Sequence, residues 1–275
     1  MNNILPESLQ DFDALGDYCK NFERIEAGRK MDSLDPSDKN RVLLARLDGR
    51  SFSTVTRYAK RPLDPMVKTT MVDCARALVR DFHADFAYTQ SDEISLGWTL
   101  KRPESQFPFG GKFAKINSIL AAQCSVDFNT LYGPILKLNF VEKSALFDCR
   151  SWSVANKVEA TRAIIWRQKD AQKNCISSVA HHLFGHNKIE KVGTNKRLEM
   201  IKESGFDWDG LDDGYKMGMF IQPTSATVVL SEEELLKIPE KHRPTGAIQR
   251  TKYIESFFPL ADLPNPVWAL FGSED

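Results

Sequence analysis

No run of apolar residues in the sequence approaches the roughly 20 that a membrane-spanning helix needs. Charge of one sign is not in excess either: Lys plus Arg and Asp plus Glu each number 37 in 275 residues. That balance excludes a basic tail or a uniformly basic surface, so any grip on nucleic acid must use local clusters of Lys and Arg. The five cysteines, Cys19, Cys74, Cys124, Cys149 and Cys175, form no C-x-x-C pair and no zinc spacing. Reduced, mostly buried thiols are therefore expected. The opening stretch MNNILPESLQDFDALGDY is acidic and has neither an apolar h-region nor an Arg-rich amphipathic pattern. A soluble, cytoplasmic protein without a membrane anchor is the expectation. Internal repeats and low-complexity segments are missing as well. What is present is ordinary globular composition, with 42% hydrophobic and 27% charged residues, in a chain long enough to bury a sizeable core.

Residues 1–30 read as helix with polar breaks, and 35–40 as a turn. The apolar run RVLLARL at 41–47 has strand length and ends at Asp48-Gly49. Asp64-Pro65 opens a helix in which Met66, Met71, Cys74, Ala75, Leu78, Val79 and Phe82 recur at three- and four-residue spacing. Two short strands, 86–88 and 94–98, flank the polar turn Gln90-Ser91-Asp92-Glu93. Gly110-Gly111 precedes a helix from about 112 to 132, a strand follows at 146–154, and Asn156 caps a long helix to Phe184. The rest mixes short helices with Pro-rich connections. The order strand, helix, strand, strand, helix, strand predicts an α+β fold of the ferredoxin-like, polymerase-palm kind, an antiparallel sheet with helices packed on it. A palm-like catalytic domain over 1–155 and a helical C-terminal extension over 156–275 are expected.

Asp48 closes a buried strand, and Asp92 and Glu93 sit at the tip of a hairpin that this fold places next to it. Carboxylates held together repel unless a cation lies between them. Mg²⁺ favours one or two carboxylates together with phosphate oxygens, and Gly49 would let the backbone approach. Each acid alone is an ordinary turn residue. From the residues alone, the metal site and the plain turn stand level. Arg162, Arg167, Lys169 and Lys173 form either a basic stripe for an RNA backbone or a solvated helix face. His182 and His186 have metal-ligand spacing, but no third ligand accompanies them.

The blocks RLDGRSF (46–52) and QSDE (90–93) resemble the two signatures of the tRNA-His guanylyltransferase family. Further blocks agree in order: Lys20 with Phe22-Glu23, Arg61-Pro62 with Asp64, Lys112-Phe113, Phe147-Asp148-Cys149-Arg150, and Trp166-Arg167-Gln168 with Asp170. The resemblance implies two Mg²⁺ ions held by Asp48, the Gly49 carbonyl and Asp92, with Glu93 as an additional catalytic acid. It implies nucleotide contacts from Asp48, Gly49, Arg50, Ser51, Phe52, Ser53, Ser91 and Asp92. The triphosphate cations would be Lys20, Arg61 and Lys112, followed by Arg150. From the residues themselves, Arg150, Arg167, Lys173 and Asn174 are the candidate tRNA contacts. GTP and ATP are the implied substrates, tRNA the partner and a homotetramer the implied assembly.

One block departs from the pattern. Eukaryotic members carry H-I-N-N-L-Y-N where this chain has QKNCISS at 172–178. That form resembles the bacterial and archaeal guanylyltransferase-like branch, which implies template-dependent 3′–5′ addition that repairs 5′-truncated tRNA. Two other functions remain open on the sequence: a palm-type nucleotidyl cyclase, and a non-catalytic tRNA-binding protein.

Overall fold

The computed structural model describes residues 4–28, 34, 38, 40–101, 104–135 and 144–272. The elements are α1 (Phe12–Gly28), β1 (Val42–Arg50), α2 (Phe52–Val55), α3 (Pro65–Phe82), β2 (Phe86–Gln90), β3 (Glu93–Trp98), α4 (Phe113–Ile135) and β4 (Leu146–Val154). They continue as α5 (Lys157–Phe184), α6 (His186–Ile189), α7 (Thr194–Glu203), α8 (Asp213–Met217), β5 (Met219–Val228), α9 (Glu232–Leu236), β6 (Ile248–Ser256) and α10 (Pro266–Phe271). The strands form one sheet in the order β4-β1-β3-β2-β5-β6, and every pair is antiparallel.

Local chemistry explains where the main helices begin. Asp64 accepts from the backbone N–H groups of Met66 and Val67 ahead of Pro65, whose fixed φ suits the first helical turn. Asn156 accepts from Glu159 N at 3.0 Å and starts α5. Strands β1, β2 and β3 are buried on both sides, and strand alternation splits their side chains between two cores. Leu43, Ala45, Leu47, Ile94 and Leu96 pack with Met71 and Leu78 of α3 and Ile116, Leu120 and Phe128 of α4. Val42, Leu44, Phe86, Tyr88 and Phe220 pack with Leu15 of α1, Ile164 and Trp166 of α5 and Leu270 of α10. Each such large apolar side chain contributes roughly 1.5–3 kcal/mol on burial. A third, smaller core joins the C-terminal half of α5 to Ile189, Ile201 and Trp208.

The α+β fold with an antiparallel sheet matches the expectation, and four cysteines are buried with Cys149 half-buried, all five free. The turn expected at 35–40 falls largely outside the described residues. The helical extension needs a correction: β5 and β6 follow the helices and widen the sheet to six strands. Two features hid them. Pro223 argues against a strand, yet β5 pairs with β2 only at 219–221, so further along it has a partner on one side alone. β6 is exposed along most of its length and therefore lacks a buried apolar alternation. Among the described residues no helix is long and apolar enough to cross a membrane.

Candidate active site

Asp48 stands directly opposite Glu93 of β3 on one side and Asp148 of β4 on the other. Two residues back along β1, Arg46 stands opposite Ser95 and Arg150. Asp48 and Arg46 share the parity of Val42 and Leu44, so both rows face the α1 and α5 layer. Both hairpin acids lie near Asp48: Glu93 is the residue across the ladder, and Asp92 belongs to the tight turn before it.

That turn is pressed against the end of β1. Gly49 N donates to Asp92 O at 3.2 Å. A Cβ on Gly49 would lie 3.0 Å from Asp92 Cβ and 2.6 Å from the Phe52 ring, so only glycine allows this approach. Ser51 and Ser91 adopt left-handed backbone, with φ of 51° and 47°. Such strain in a non-glycine residue persists only where the surroundings enforce it.

The crowding of acids shows in their protonation. Burial is the main cause that pushes the Asp92 carboxyl up to about 6. Hydrogen bonding from its own backbone N–H and from Ser91 opposes the rise, while the charges of Asp48 and Glu93 add to it. Asp48 is also raised, by burial first and then by Glu93 and Asp148, against the pull of Arg46 and Arg150. A bound cation would relieve this repulsion. Among the described residues no group of three His, Cys, Asp or Glu side chains is arranged to hold a metal. Two carboxylates completed by a backbone carbonyl, water and phosphate oxygens would be a different donor set, of the kind that suits Mg²⁺. His181 and His186 lie with ring centres 6.3 Å apart and belong to no such group.

The expected cations are dispersed. Lys20 lies over the Trp166 ring, 5.5 Å from its centre, on the α5 side of the sheet. Arg61 donates from Nη2 to Thr56 O at 3.3 Å. Lys112 is exposed at the entry to α4, in the opposite layer. The positive charges that act on Asp48 are instead Arg46 and Arg150. Arg46 had no place among the candidate site residues, although its position two residues before Asp48 on a strand was a usable signal. Arg150 is half exposed and lies 3.5 Å from Asp148.

Arg167 also departs from expectation. Its side chain is only 8% exposed, and Nη1 lies 3.0 Å from Glu93 Oε2. A buried, paired guanidinium is not available to an RNA backbone. Lys173 sits over the Phe12 ring at 4.5 Å. Arg50, Ser51 and Ser53 are exposed around the start of α2, whereas Phe52 is buried against Phe128 and Phe147.

Beside Ser91 opens a cavity of about 190 Å³ lined by Phe52, Thr56, Arg61, Gln90, Asn174 and Tyr215 among others. The turn, the 52–64 segment, α3, α5 and α8 all contribute to its wall. Asn174, expected at an RNA surface, therefore lines this cavity.

The sequence model of the tRNAHis guanylyltransferase family matches residues 17–155. An uncharacterised protein of Acanthamoeba polyphaga mimivirus is 29% identical over 246 residues, covering 81% of this chain and 79% of that protein. A bacterial tRNA(His) guanylyltransferase-like protein in complex with ATP superposes with a TM-score of 0.64 at 27% identity, covering 76% of this chain and 87% of that one. A second such bacterial structure, in complex with GTP, has a TM-score of 0.60 at 22% identity and covers 94% of each chain. The tRNA(His) guanylyltransferase of Saccharomyces cerevisiae gives 0.60 at 17% identity, over 73% of this chain and 92% of that one. The last two likenesses concern the fold alone.

Proposed function

The chain belongs to the tRNAHis guanylyltransferase family of nucleotidyltransferases, and on that premise we propose that it adds nucleotides, GTP preferred, to the 5′ end of tRNA in the 3′–5′ direction, repairing truncated ends against a template. The observation that carries this reading is the acid cluster of Asp48, Asp92 and Glu93 pressed together beside an open cavity. Phosphoryl transfer needs little beyond positioning and charge stabilisation, the roles an acid cluster beside a recess can take. The ATP complex of the bacterial relative at 27% identity supports nucleotide binding by this chain.

In this reading Asp48, Asp92 and the Gly49 carbonyl hold two Mg²⁺ ions. When bound, these ions neutralise phosphate charge and orient the reacting oxygens. The cavity takes the nucleoside, with Arg61 and Ser91 at its wall. Lys20 and Lys112 approach the triphosphate from opposite layers. The 5′-monophosphate of tRNA first attacks the α-phosphate of ATP or GTP, releasing pyrophosphate and leaving a 5′–5′ pyrophosphate-linked end. The 3′-hydroxyl of an incoming GTP then attacks the activated tRNA phosphate and expels AMP or GMP, and hydrolysis finally removes pyrophosphate from the added nucleotide. Residues 1–155 carry this chemistry, residues 156–275 provide the tRNA contacts, and the enzyme works in the cytoplasm as a tetramer. Weak dependence on the anticodon is supported by the 172–178 segment. It offers no aromatic ring to stack on a base, and Lys173 already covers Phe12.

The test combines purified protein, Mg²⁺, labelled GTP and 5′-monophosphorylated tRNAs lacking their first nucleotide. Labelled tRNA is expected, at similar rates with and without the His anticodon and in accordance with the opposing base. A cyclic nucleotide formed without RNA would make the protein a cyclase, and RNA binding without either product would make it a binding protein.

A further inference from the structure

Arg167 is the centre of a chain of contacts between two parts of the site. Its Nη1 lies 3.0 Å and 3.4 Å from the two Glu93 carboxylate oxygens. Its Nη2 lies 3.6 Å from Asp170 Oδ2. The same oxygen accepts from Asn174 Nδ2 at 3.3 Å. Positions 167, 170 and 174 are spaced i, i+3 and i+7, which places them along one face of α5. At one end of the chain Glu93 faces Asp48 and adjoins Asp92. At the other, Asn174 lines the cavity. Arg167 Nε is buried without a hydrogen-bond partner, and the guanidinium is oriented by the two carboxylates and by the Trp166 ring, whose centre lies 3.6 Å from it.

We propose that Arg167 is a positioning residue, which holds Glu93 beside the acid pair and, through Asp170, the Asn174 amide in the cavity wall. The inference rests on the proposed nucleotidyl transfer and adds to it a coupling between what fills the cavity and how the acids are set. Arg167 touches no substrate, because its side chain is shielded from solvent and used on both sides. A lysine there keeps the charge but cannot serve both acids with a planar fork.

The experiment measures nucleotide addition to tRNA and, separately, the binding of a fluorescent ATP (N-methylanthraniloyl-ATP) with Mg²⁺ and no RNA. Arg167→Met should lower kcat by roughly tenfold or more, the scale of one lost buried charge-assisted bond. It should weaken fluorescent-ATP binding several-fold and leave tRNA Kd unchanged. Arg167→Lys should retain the thermal midpoint and recover only part of kcat, which keeps the test decisive if Arg167→Met folds poorly. Adding Arg167→Lys to Asn174→Ala should change fluorescent-ATP affinity less than the two single effects combined. The proposal is overturned if only tRNA Kd responds, if Arg167→Lys matches wild type in kcat and ATP affinity, or if the two substitutions are additive. Should the wild type label no tRNA, the transfer reading fails, while the ATP titrations still decide whether Arg167 couples the two parts.

Discussion

The two sides of the sheet use charge in opposite ways. In the adjacent strands β4, β1 and β3, charged residues concentrate at one end: the part-buried Asp48 and Glu93 with the exposed Asp148 in one row, the buried Arg46 with the exposed Arg150 behind it. In the outer ribbon β5–β6, charges are solvated and pair at the surface, as Arg250 does with Glu234 of α9 at 2.8 Å and Glu255 with Arg76 of α3. Exposed pairs contribute little because water already satisfies both partners. Buried ones must be matched, because an unpaired charge without water is costly. The same residue types thus build a site in one half of the sheet and a soluble edge in the other.

The contrast is tested most severely at the acids. Asp48→Ala or Asp92→Ala should each lower nucleotide addition by more than ~10²-fold, since charge stabilisation at a reacting phosphate is worth several kcal/mol. Circular dichroism should remain native. Wild-type turnover in Asp92→Ala would dissolve the distinction between the two halves. Glu93→Ala should cost less than either aspartate, because Glu93 acts on Asp48 and Asp92 from beside them and is itself balanced by Arg167.

Next in size comes Gly49→Ala. The new methyl would press on the Phe52 ring and on Asp92 Cβ. Displacement of Asp92 by a fraction of an ångström should reduce kcat by roughly 10-fold or more with a smaller change in thermal midpoint. If stability falls while kcat per folded molecule holds, the close approach serves packing rather than the site.

A subtler prediction concerns pH in the presence of a chelator. Asp92 is raised to about 6 in the fold, above the ordinary carboxylate value of 3.8. The folded state therefore binds more protons than the unfolded chain between those values, and stability falls as pH rises through that window. Asp92→Asn removes the charged form. It should raise the thermal midpoint relative to wild type above pH 6 and lose that advantage near pH 4. Thermal melts at both pH values decide it, and an equal advantage at both would mean the carboxylate is not the source.

The smallest effect is expected in the outer ribbon. Arg250→Ala removes the Glu234 contact on a surface where both side chains are well exposed. Thermal midpoint and turnover should match wild type within error. A clear loss of turnover would show that the ribbon takes part in substrate handling.

Features carried by neighbours in the chain could be read directly. The Asp64-Pro65 helix start and the Asn156 cap each act through backbone groups two or three residues away. The RLDGRSF and QSDE blocks likewise placed Asp48, Gly49 and Asp92 at turns that the structure brings together. β5 was obscured by Pro223, and β6 by an exposed surface that removed the alternation a buried strand would show.

The sequence by itself determined the type and order of the central elements, because strand and helix periods and end-caps are local properties of the chain. Only the tertiary structure decided which charges meet. Glu93 and Arg167 are 74 residues apart, and their pairing depends on α5 packing against one face of the sheet. That choice of face made Arg167 an internal partner of the acid row and turned Asn174 toward the cavity. Arg167 then had to be neutralised by the acids the packing placed beside it, since the buried interior offers no water to do so.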